Sequence, residues 1–216
     1  MSAFTAVAAF ASAPANAYIF GNSEFNLGNT LTLNGGTVLA NSTSGWFQST
    51  GGHLASNRNY IAAAYNGLYY NDFFVFDLSS ITAPVITASL TVFSYTVDLS
   101  DDGGTWVPFS LYDVSVSHMA LAANSFGDIA VYDDLGSGSY YGGRRYTEAD
   151  SNSFQTITLT AAAVSDINAA IAGGDGTFII GGSTYPTAAA LPEPMSLALI
   201  GVGVAELTVA RRRRAG

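Results

Sequence analysis

The stretch that decides the fold is Leu68-Tyr69-Tyr70-Asn71-Asp72-Phe73-Phe74-Val75-Phe76-Asp77-Leu78. Its side chains alternate along the second half, which is the two-residue period of a β-strand. The run from 73 to 76 is also continuously apolar, as expected for a central strand that is buried on both faces. We therefore predict a strand over residues 68–78 and organise the chain around it.

Turn signals on the N-terminal side of this strand predict hairpins. Asn66-Gly67 separates it from a second predicted strand at 59–65. Asn34-Gly35-Gly36 separates predicted strands at 30–33 and 37–39. Asn-Gly pairs favour tight turns because both residues tolerate a positive φ. Residues 42–52, around Trp46 and Phe47, are expected to form a loop.

The remaining strands, helices and one loop of the body are predicted from shorter patterns. Further strands are predicted at 85–99, 106–116, 128–135, 154–160 and 177–180, with a Gly/Tyr-rich loop at 136–145. Residues 117–124 are expected to form one or two helical turns. A helix is predicted over 160–172, because Thr160 can cap it, apolar residues recur at helical spacing, and Gly173-Gly174 ends it.

Strands at roughly ten-residue spacing with one short helix predict an all-β, jelly-roll-like β-sandwich, followed by a C-terminal hydrophobic helix. Residues 74–81 and 86–90 look like the opening of sandwich domains in secreted bacterial surface proteins. That resemblance implies a fold and a setting, and no activity. The predicted organisation is a signal peptide at 1–17, a sandwich body at 18–183, a linker at 184–191 and a sorting signal at 192–216.

The C-terminal tail has three parts in a fixed order. Pro192-Glu193-Pro194 precedes an apolar stretch at 195–210, and Arg211, Arg212, Arg213 and Arg214 follow it. As a helix the apolar stretch spans about 24 Å, short of the roughly 20 residues that a bilayer usually needs. Glu206 opposes insertion further, and the arginines are expected on the cytoplasmic side. The alternative is a buried core helix with a solvated charge run.

This order of motifs resembles the PEP-CTERM sorting signal. The resemblance implies recognition and cleavage of the tail by an exosortase, a membrane protease-transpeptidase of Gram-negative bacteria. It implies a protein held briefly in the inner membrane by its C-terminal helix and then delivered to the cell surface or to the extracellular polysaccharide matrix of a biofilm. Glu206 departs from the usual all-apolar helix.

The N-terminal segment is typical of a secretory signal. Residues 3–13 are small and apolar, and Ala15-Asn16-Ala17 forms an A-x-A cleavage site that makes Tyr18 the mature start. The usual positive charge is missing before Arg58, so we expect a truncated leader or a start codon assigned too far downstream. The alternative is an alanine-rich helix of the body.

Composition excludes several kinds of chemistry. The chain has no cysteine and no lysine, so a disulfide framework, a thiolate nucleophile and a Schiff-base lysine are ruled out. From residue 18 to 190 there are three arginines and 14 acidic residues, a balance of 3 − 14 = −11. Such a body should be repelled by nucleic acids and should tolerate cations.

Candidate sites in the body are few. The loop with Asp98, Asp101 and Asp102 imitates the first half of an EF-hand, but position 12 is Phe109, so we expect at most a Ca²⁺ site built from hard oxygen ligands. Aromatic residues suggest platforms for sugar stacking. The candidates expected to be exposed are Trp46, Tyr69, Tyr70, Tyr140 and Tyr141.

No catalytic residues are predicted. His53 and His118 have no metal-ligand partner at i+2 or i+4, and no Gly-x-Ser-x-Gly elbow occurs. We therefore expect a non-enzymatic exported protein of the cell surface or matrix. The alternative is a secreted carbohydrate-binding module or carbohydrate-active enzyme, which a cleft with two carboxylates and aromatic side chains would favour. Small-ligand binding in a barrel-like cavity is a third option.

Deletion of residues 192–216 tests the sorting interpretation. In a host with an exosortase, the truncated protein is expected in the medium, because it has lost the segment that delays release at the membrane. Cell fractionation followed by immunoblotting measures the distribution. Identical fractionation of the wild-type and truncated proteins would contradict the interpretation.

Overall fold

The computed structural model describes residues 17–21, 28–65, 67–99, 105–174 and 176–184. The predicted cleavage residue Ala15, the candidate ligands Asp101 and Asp102, and the whole sorting signal at 192–216 lie outside these ranges. The predictions made for those segments therefore remain predictions.

The described part of the chain is mostly β, which confirms the all-β class. Its strands are β1 Ala17–Gly21, β2 Thr30–Leu33, β3 Thr37–Gln48, β4 Gly52–His53, β5 Tyr60–Tyr65, β6 Leu68–Asp77, β7 Ala88–Ser94, β8 Thr96–Asp98, β9 Val107–Asp113, β10 Ser125–Phe126, β11 Tyr140–Tyr146, β12 Ser153–Thr158 and β13 Thr177–Ser183. Its helices are α1 His118–Leu121, α2 Ile129–Leu135 and α3 Ala161–Gly173, with a 3-10 turn at Glu148–Asp150.

A large antiparallel sheet contains most of these strands. Its main order is β11-β9-β13-β6-β3-β2-β7-β12, and a branch runs from β6 through β5 and β1 to β8. β4 and β10 form a separate two-stranded sheet. The branch exists because β13 ends beside Asp72, and β5 pairs with the first three residues of β6 instead.

β3 joins two regions of the large sheet. Its first residues pair with β2, whereas its later residues, through Gln48, pair with β6. The register shifts between Asn41 and Thr43. Such an irregularity bends a strand, which allows the β2-β7-β12 region to fold back over the rest of the sheet.

Two apolar cores lie on opposite faces of β6. The sandwich core, between the two sheet regions, contains Phe74 and Phe76 from β6 and Leu90 from β7. The helix-side core contains Phe73 and Val75 from β6, with Phe47, Leu121, Val131, Tyr132 and Leu135. α1 and α2 thus cover one face of the sheet, and the β2-β7-β12 region covers the other.

Several sequence-based assignments are confirmed. The turn at 34–36 lies between paired strands, and Asn34 has a φ of 52°. Gly67, with a φ of 73°, precedes β6 where β6 pairs with β5, and residue 66 lies outside the described ranges. α3 begins after Thr160, whose hydroxyl accepts from the Ala163 N–H at 3.5 Å. It ends at Gly174, whose φ of 73° lies in the left-handed region.

Other assignments were wrong. Residues 42–48 belong to β3 and 140–146 to β11, because β6 and β9 pair with these segments despite glycines and polar residues that look like loop. Residues 129–135 form α2, since the Asp128 side chain accepts from the Val131 N–H and so caps the helix. The long strand predicted at 85–99 divides at Tyr95 into β7 and β8.

A search for membrane-spanning helices over the described residues finds none that is long and apolar enough to cross a membrane. The predicted C-terminal helix is not among those residues.

Candidate functional site

A groove lined by aromatic side chains lies where the sheet branches at β6. We call it the aromatic groove, and its volume is about 280 Å³. Its lining residues are neutral and come from β1, β3, β5 and β6: Tyr18, Phe20, Trp46, Gln48, Ile61, Ala63, Tyr65 and Tyr70.

Strand register places these side chains together. Gln48 of β3 lies opposite Tyr70 of β6, and Tyr70 lies opposite Ala63 of β5. Ala63 is in turn opposite Tyr18 of β1, which is opposite Asp98 of β8. Directly opposed residues of antiparallel strands point to the same face. One continuous row of side chains therefore crosses all five strands and forms the floor of the groove.

Edge-to-face contacts hold the aromatic walls in place. The ring centroids of Trp46 and Tyr70 are 5.6 Å apart at an interplanar angle of 66°. Those of Tyr18 and Tyr65 are 5.7 Å apart at 76°. The Gln48 amide also donates to the Tyr70 hydroxyl at 3.3 Å.

One polar atom of the groove residues has no partner. Trp46 is only 7% exposed, and its indole Nε1 makes no hydrogen bond within the described structure. A buried indole N–H normally finds an acceptor. The indole N–H is therefore enclosed by the protein, and it is the Trp46 ring that contributes to the groove wall.

A negative charge lies at the rim. The Tyr18 hydroxyl hydrogen-bonds the Asp98 carboxylate. Burial, together with this carboxylate, raises the pKa of Tyr18. The phenol is therefore neutral at physiological pH, and Asp98 is the charged neighbour of the groove.

A second cavity, the acidic cleft, lies near the other end of β13. Its volume is about 670 Å³, and its lining includes Asp113, His118, Tyr141, Asp166 and Phe178. It is bounded by the end of β9 and the starts of β11 and β13, with α1 and α3 at its sides. It is larger and more polar than the groove.

Two carboxylates of the cleft are held by hydrogen bonds. The Tyr141 hydroxyl donates to Asp166 Oδ2 at 2.8 Å, and the Ser139 N–H donates to Asp113 Oδ1. Burial raises the pKa of Asp113, and the nearby Asp134 and Asp166 carboxylates add to this rise, while the Ser139 hydrogen bond opposes it. The cleft therefore combines a carboxyl of raised pKa with a second carboxyl.

A third polar feature is enclosed in the sandwich core. Asp72 is fully buried, and neither carboxylate oxygen has a hydrogen-bond partner in the structure as described. Burial raises its pKa well above the usual range, so we expect a protonated carboxyl at neutral pH. Gly182 lies opposite on β13, and its missing Cβ leaves the space that the carboxyl occupies.

Phenols and a hydroxyl share this interior with Asp72. Tyr60 and Tyr146 lie within electrostatic range of the carboxyl, and burial is the main cause of their raised pKa values. The Tyr60 hydroxyl donates to the Phe93 carbonyl at 2.8 Å. Hydrogen bonding by Ser94 opposes the rise in the pKa values of both phenols.

The predicted carbohydrate residues do not form one site. Trp46 lines the groove, whereas Tyr141 lines the cleft and the neighbouring Tyr140 is 51% exposed. The expectation that all five aromatic candidates are exposed is wrong for Trp46 and Tyr141, because alternation on β3 and β11 turns both side chains inward. Tyr70 is half-buried in the groove wall.

The predicted calcium loop stays a prediction. Asp98 ends β8 and contacts Tyr18, while Asp101 and Asp102 lie outside the described ranges. Among the residues that are described, no group of three or more His, Asp or Glu side chains could hold a metal ion.

The two histidines are separated, as the sequence suggested. His53 is buried, its ring stacks on Phe47 at 4.4 Å, and its Nδ1 is 2.7 Å from the Trp46 carbonyl oxygen. Burial lowers the pKa of His53, which favours the neutral ring. His118 begins α1 at the edge of the cleft.

Sequence reasoning missed most of the groove and both carboxylates of the cleft, Asp113 and Asp166. Tyr18 and Phe20 alternate with buried Ala17 and Ile19, so strand periodicity could have placed them on one face. The branch that joins β1 to β6 through β5 leaves no local signal. Asp72 did carry one, as a charged residue within an otherwise apolar strand.

Comparison with known proteins adds no identification: no family model, no curated protein and no solved structure matches this chain. The geometry of the two cavities therefore carries the functional argument.

Replacing Asp72 with Asn should make stability less dependent on pH. The unfolded carboxyl titrates near 3.8, and the folded one titrates higher. Its favourable contribution is therefore complete below pH 3.8 and is lost as pH rises toward the folded pKa. Relative to D72N, the wild-type free energy of unfolding should fall by up to about 1.4 kcal/mol per pH unit in this window. Urea denaturation from pH 5 to 8 measures it.

Asp77→Asn is the matched control on the same strand. Asp77 is fully exposed, and hydrogen bonding by Ser79 lowers its pKa. Its contribution is lost only as pH falls into the acid range, so this variant should keep a constant difference from wild type between pH 5 and 8. A constant difference for D72N as well would show that Asp72 is not a buried neutral acid.

Proposed function

We propose that this protein is a non-enzymatic, exported protein of the bacterial cell surface or extracellular matrix that binds glycans through its aromatic groove. The observation that carries the glycan part is a neutral groove whose walls are Trp46 and three tyrosines, held by edge-to-face contacts. Flat aromatic faces pack against the apolar faces of sugar rings.

Five aromatic side chains of the groove lie outside both apolar cores, although Trp46 is itself buried. Neither the sandwich core nor the helix-side core includes Tyr18, Phe20, Trp46, Tyr65 or Tyr70. A group of large apolar side chains that lines a groove outside the cores is typical of a binding surface. This supports a ligand in the groove.

The proposals of export and sorting rest on the sequence. The A-x-A motif and the resemblance to PEP-CTERM signals support secretion and processing by an exosortase. We also propose the jelly-roll-like sandwich, which the two sheet regions packed around one core support. A net charge of −9 supports a partner other than nucleic acid.

Groove binding predicts a specific loss in a tyrosine variant. Tyr65 is 45% exposed, so Tyr65→Ala removes a wall of the groove with little effect on the cores. We expect about tenfold weaker binding to the best oligosaccharide ligand of the full chain, equivalent to about 1.4 kcal/mol of lost stacking. A glycan array identifies the ligand, and calorimetric titration measures its affinity.

Tyr140→Ala is the matched control. Tyr140 has a similar exposure of 51%, but it lies beside the acidic cleft, so binding in the groove should be unchanged. Loss of binding in Y140A with retention in Y65A would move the site to the cleft. If no glycan on the array gives a binding signal above background with the wild-type protein, this result would contradict the proposed function.

A second candidate function is glycoside hydrolysis in the acidic cleft. The specific observation in its favour is that Asp113 and Asp166 line one cavity with Tyr141. Glycosidases use two carboxyls, one of them of raised pKa as the general acid. In this alternative Asp113 would be the acid, and Asp166 would be the base or nucleophile.

Hydrolysis can be tested directly with conservative variants. If the cleft is catalytic, release of reducing ends from an oligosaccharide panel should fall at least about 100-fold in D113N and in D166N. Under the binding proposal, we expect no release by the wild-type protein above the level of these variants. Activity that both substitutions abolish would establish the enzyme and overturn the non-enzymatic proposal.

A further inference from the structure

We infer that the aromatic groove selects neutral sugars and rejects acidic ones such as uronates. This inference rests on the proposed function, because it concerns the class of glycan that the same groove accepts. It follows from the charge, the donors and the size of the groove.

Within the described part of the chain, the groove offers no cationic side chain to a ligand carboxylate. The lining residues that the structure describes are all uncharged, and no arginine or histidine is among them. An anionic sugar entering the groove would lose hydration without gaining an ionic partner. Transfer of an unpaired carboxylate from water is costly, whereas a neutral hydroxyl needs only ordinary hydrogen bonds.

The negative charge around the groove also disfavours acidic sugars. Asp98 lies at the rim against Tyr18, in the same cross-strand row as the floor. The body carries a balance of 3 − 14 = −11 over residues 18–190. Both repel an approaching anion, and the effect of Asp98 should weaken with added salt.

The polar groups of the groove match a sugar oxygen. Gln48 offers both a donor and an acceptor beside Tyr70. The tyrosine hydroxyls of the groove can likewise donate or accept. A sugar hydroxyl near Gln48 would satisfy this amide while one face of the ring packs on the tyrosines.

The volume limits how much sugar the groove holds. At about 280 Å³, the groove is at the small end of the roughly 300–1,000 Å³ typical of ligand pockets. It therefore suits one sugar unit, with the rest of an oligosaccharide extending past the rim and Asp98. A uronate would place its charge in the groove or at this rim.

Tryptophan fluorescence reports binding in the groove itself. The chain has two tryptophans, and Trp106 lies elsewhere, stacked under the Arg145 guanidinium. Full-length Trp106→Phe therefore carries Trp46 as its single tryptophan. This variant is titrated with neutral gluco-, galacto- and manno-oligosaccharides and with the uronate oligosaccharide of each configuration. Trp46→Phe, which retains Trp106, is the control for signal from outside the groove.

We expect a neutral oligosaccharide to change Trp46 emission and its uronate counterpart to bind at least about tenfold more weakly. Asp98→Asn in the same background should reduce this ratio, because it removes the rim charge and keeps a side chain of the same shape. If a uronate binds within tenfold of its neutral counterpart, the inference fails while glycan binding in the groove stands. If no sugar changes Trp46 emission at any concentration, groove binding itself fails, and with it the inference.

Discussion

The rest of the structure depends on the double pairing of β6. Its backbone bonds to β3 along one edge and to β13 and then β5 along the other. Its side chains alternate between the sandwich core and the helix-side core, so Phe74 and Phe73 stabilise different layers. Each of these phenylalanines is essentially inaccessible to water, and truncating one would cost about 3–5 kcal/mol. A single strand thereby fixes the position of every layer of the fold.

The positions of the two candidate sites depend on where β13, a strand paired with β6, begins and ends. β13 pairs with β6 only as far as Asp72, and the exchange of β13 for β5 beyond this point opens the aromatic groove. At its other end, residues 177–179 of β13 extend past the end of β9 and line the acidic cleft. Strands rise about 3.3 Å per residue, so the length of β13 separates the two cavities. Their ligands would therefore bind independently.

The sequence was informative where structure is set locally and uninformative where it depends on pairing. The period of 68–78, the cap at Thr160 and the glycines of two turns predicted their elements correctly, since each acts within a few residues. α2 was predicted as a short strand because residues 128–135 look strand-like, and the capping role of Asp128 was not recognised. The loop predicted around Trp46 became β3 because Asp72 and Phe73, distant in sequence, supply its partners. The groove could not be predicted from the sequence. Ala63 pairs with both Tyr18 and Tyr70 and so places them on one face, and no local pattern indicates this pairing.

Access from solvent separates the two polar regions beside β6. Asp72 and Trp46 are directly opposed on β6 and β3, and both carry enclosed polar atoms without partners among the described residues. Asp72 is enclosed by the sandwich core, so protonation is the means by which its charge can be avoided. The Trp46 ring instead lines an open groove, beside Tyr65, which is 45% exposed. A ligand can reach these rings without disturbing either core, whereas it could reach Asp72 only by opening the sandwich core. That difference in access is the physical reason for regarding the groove, rather than the interior, as the site of recognition.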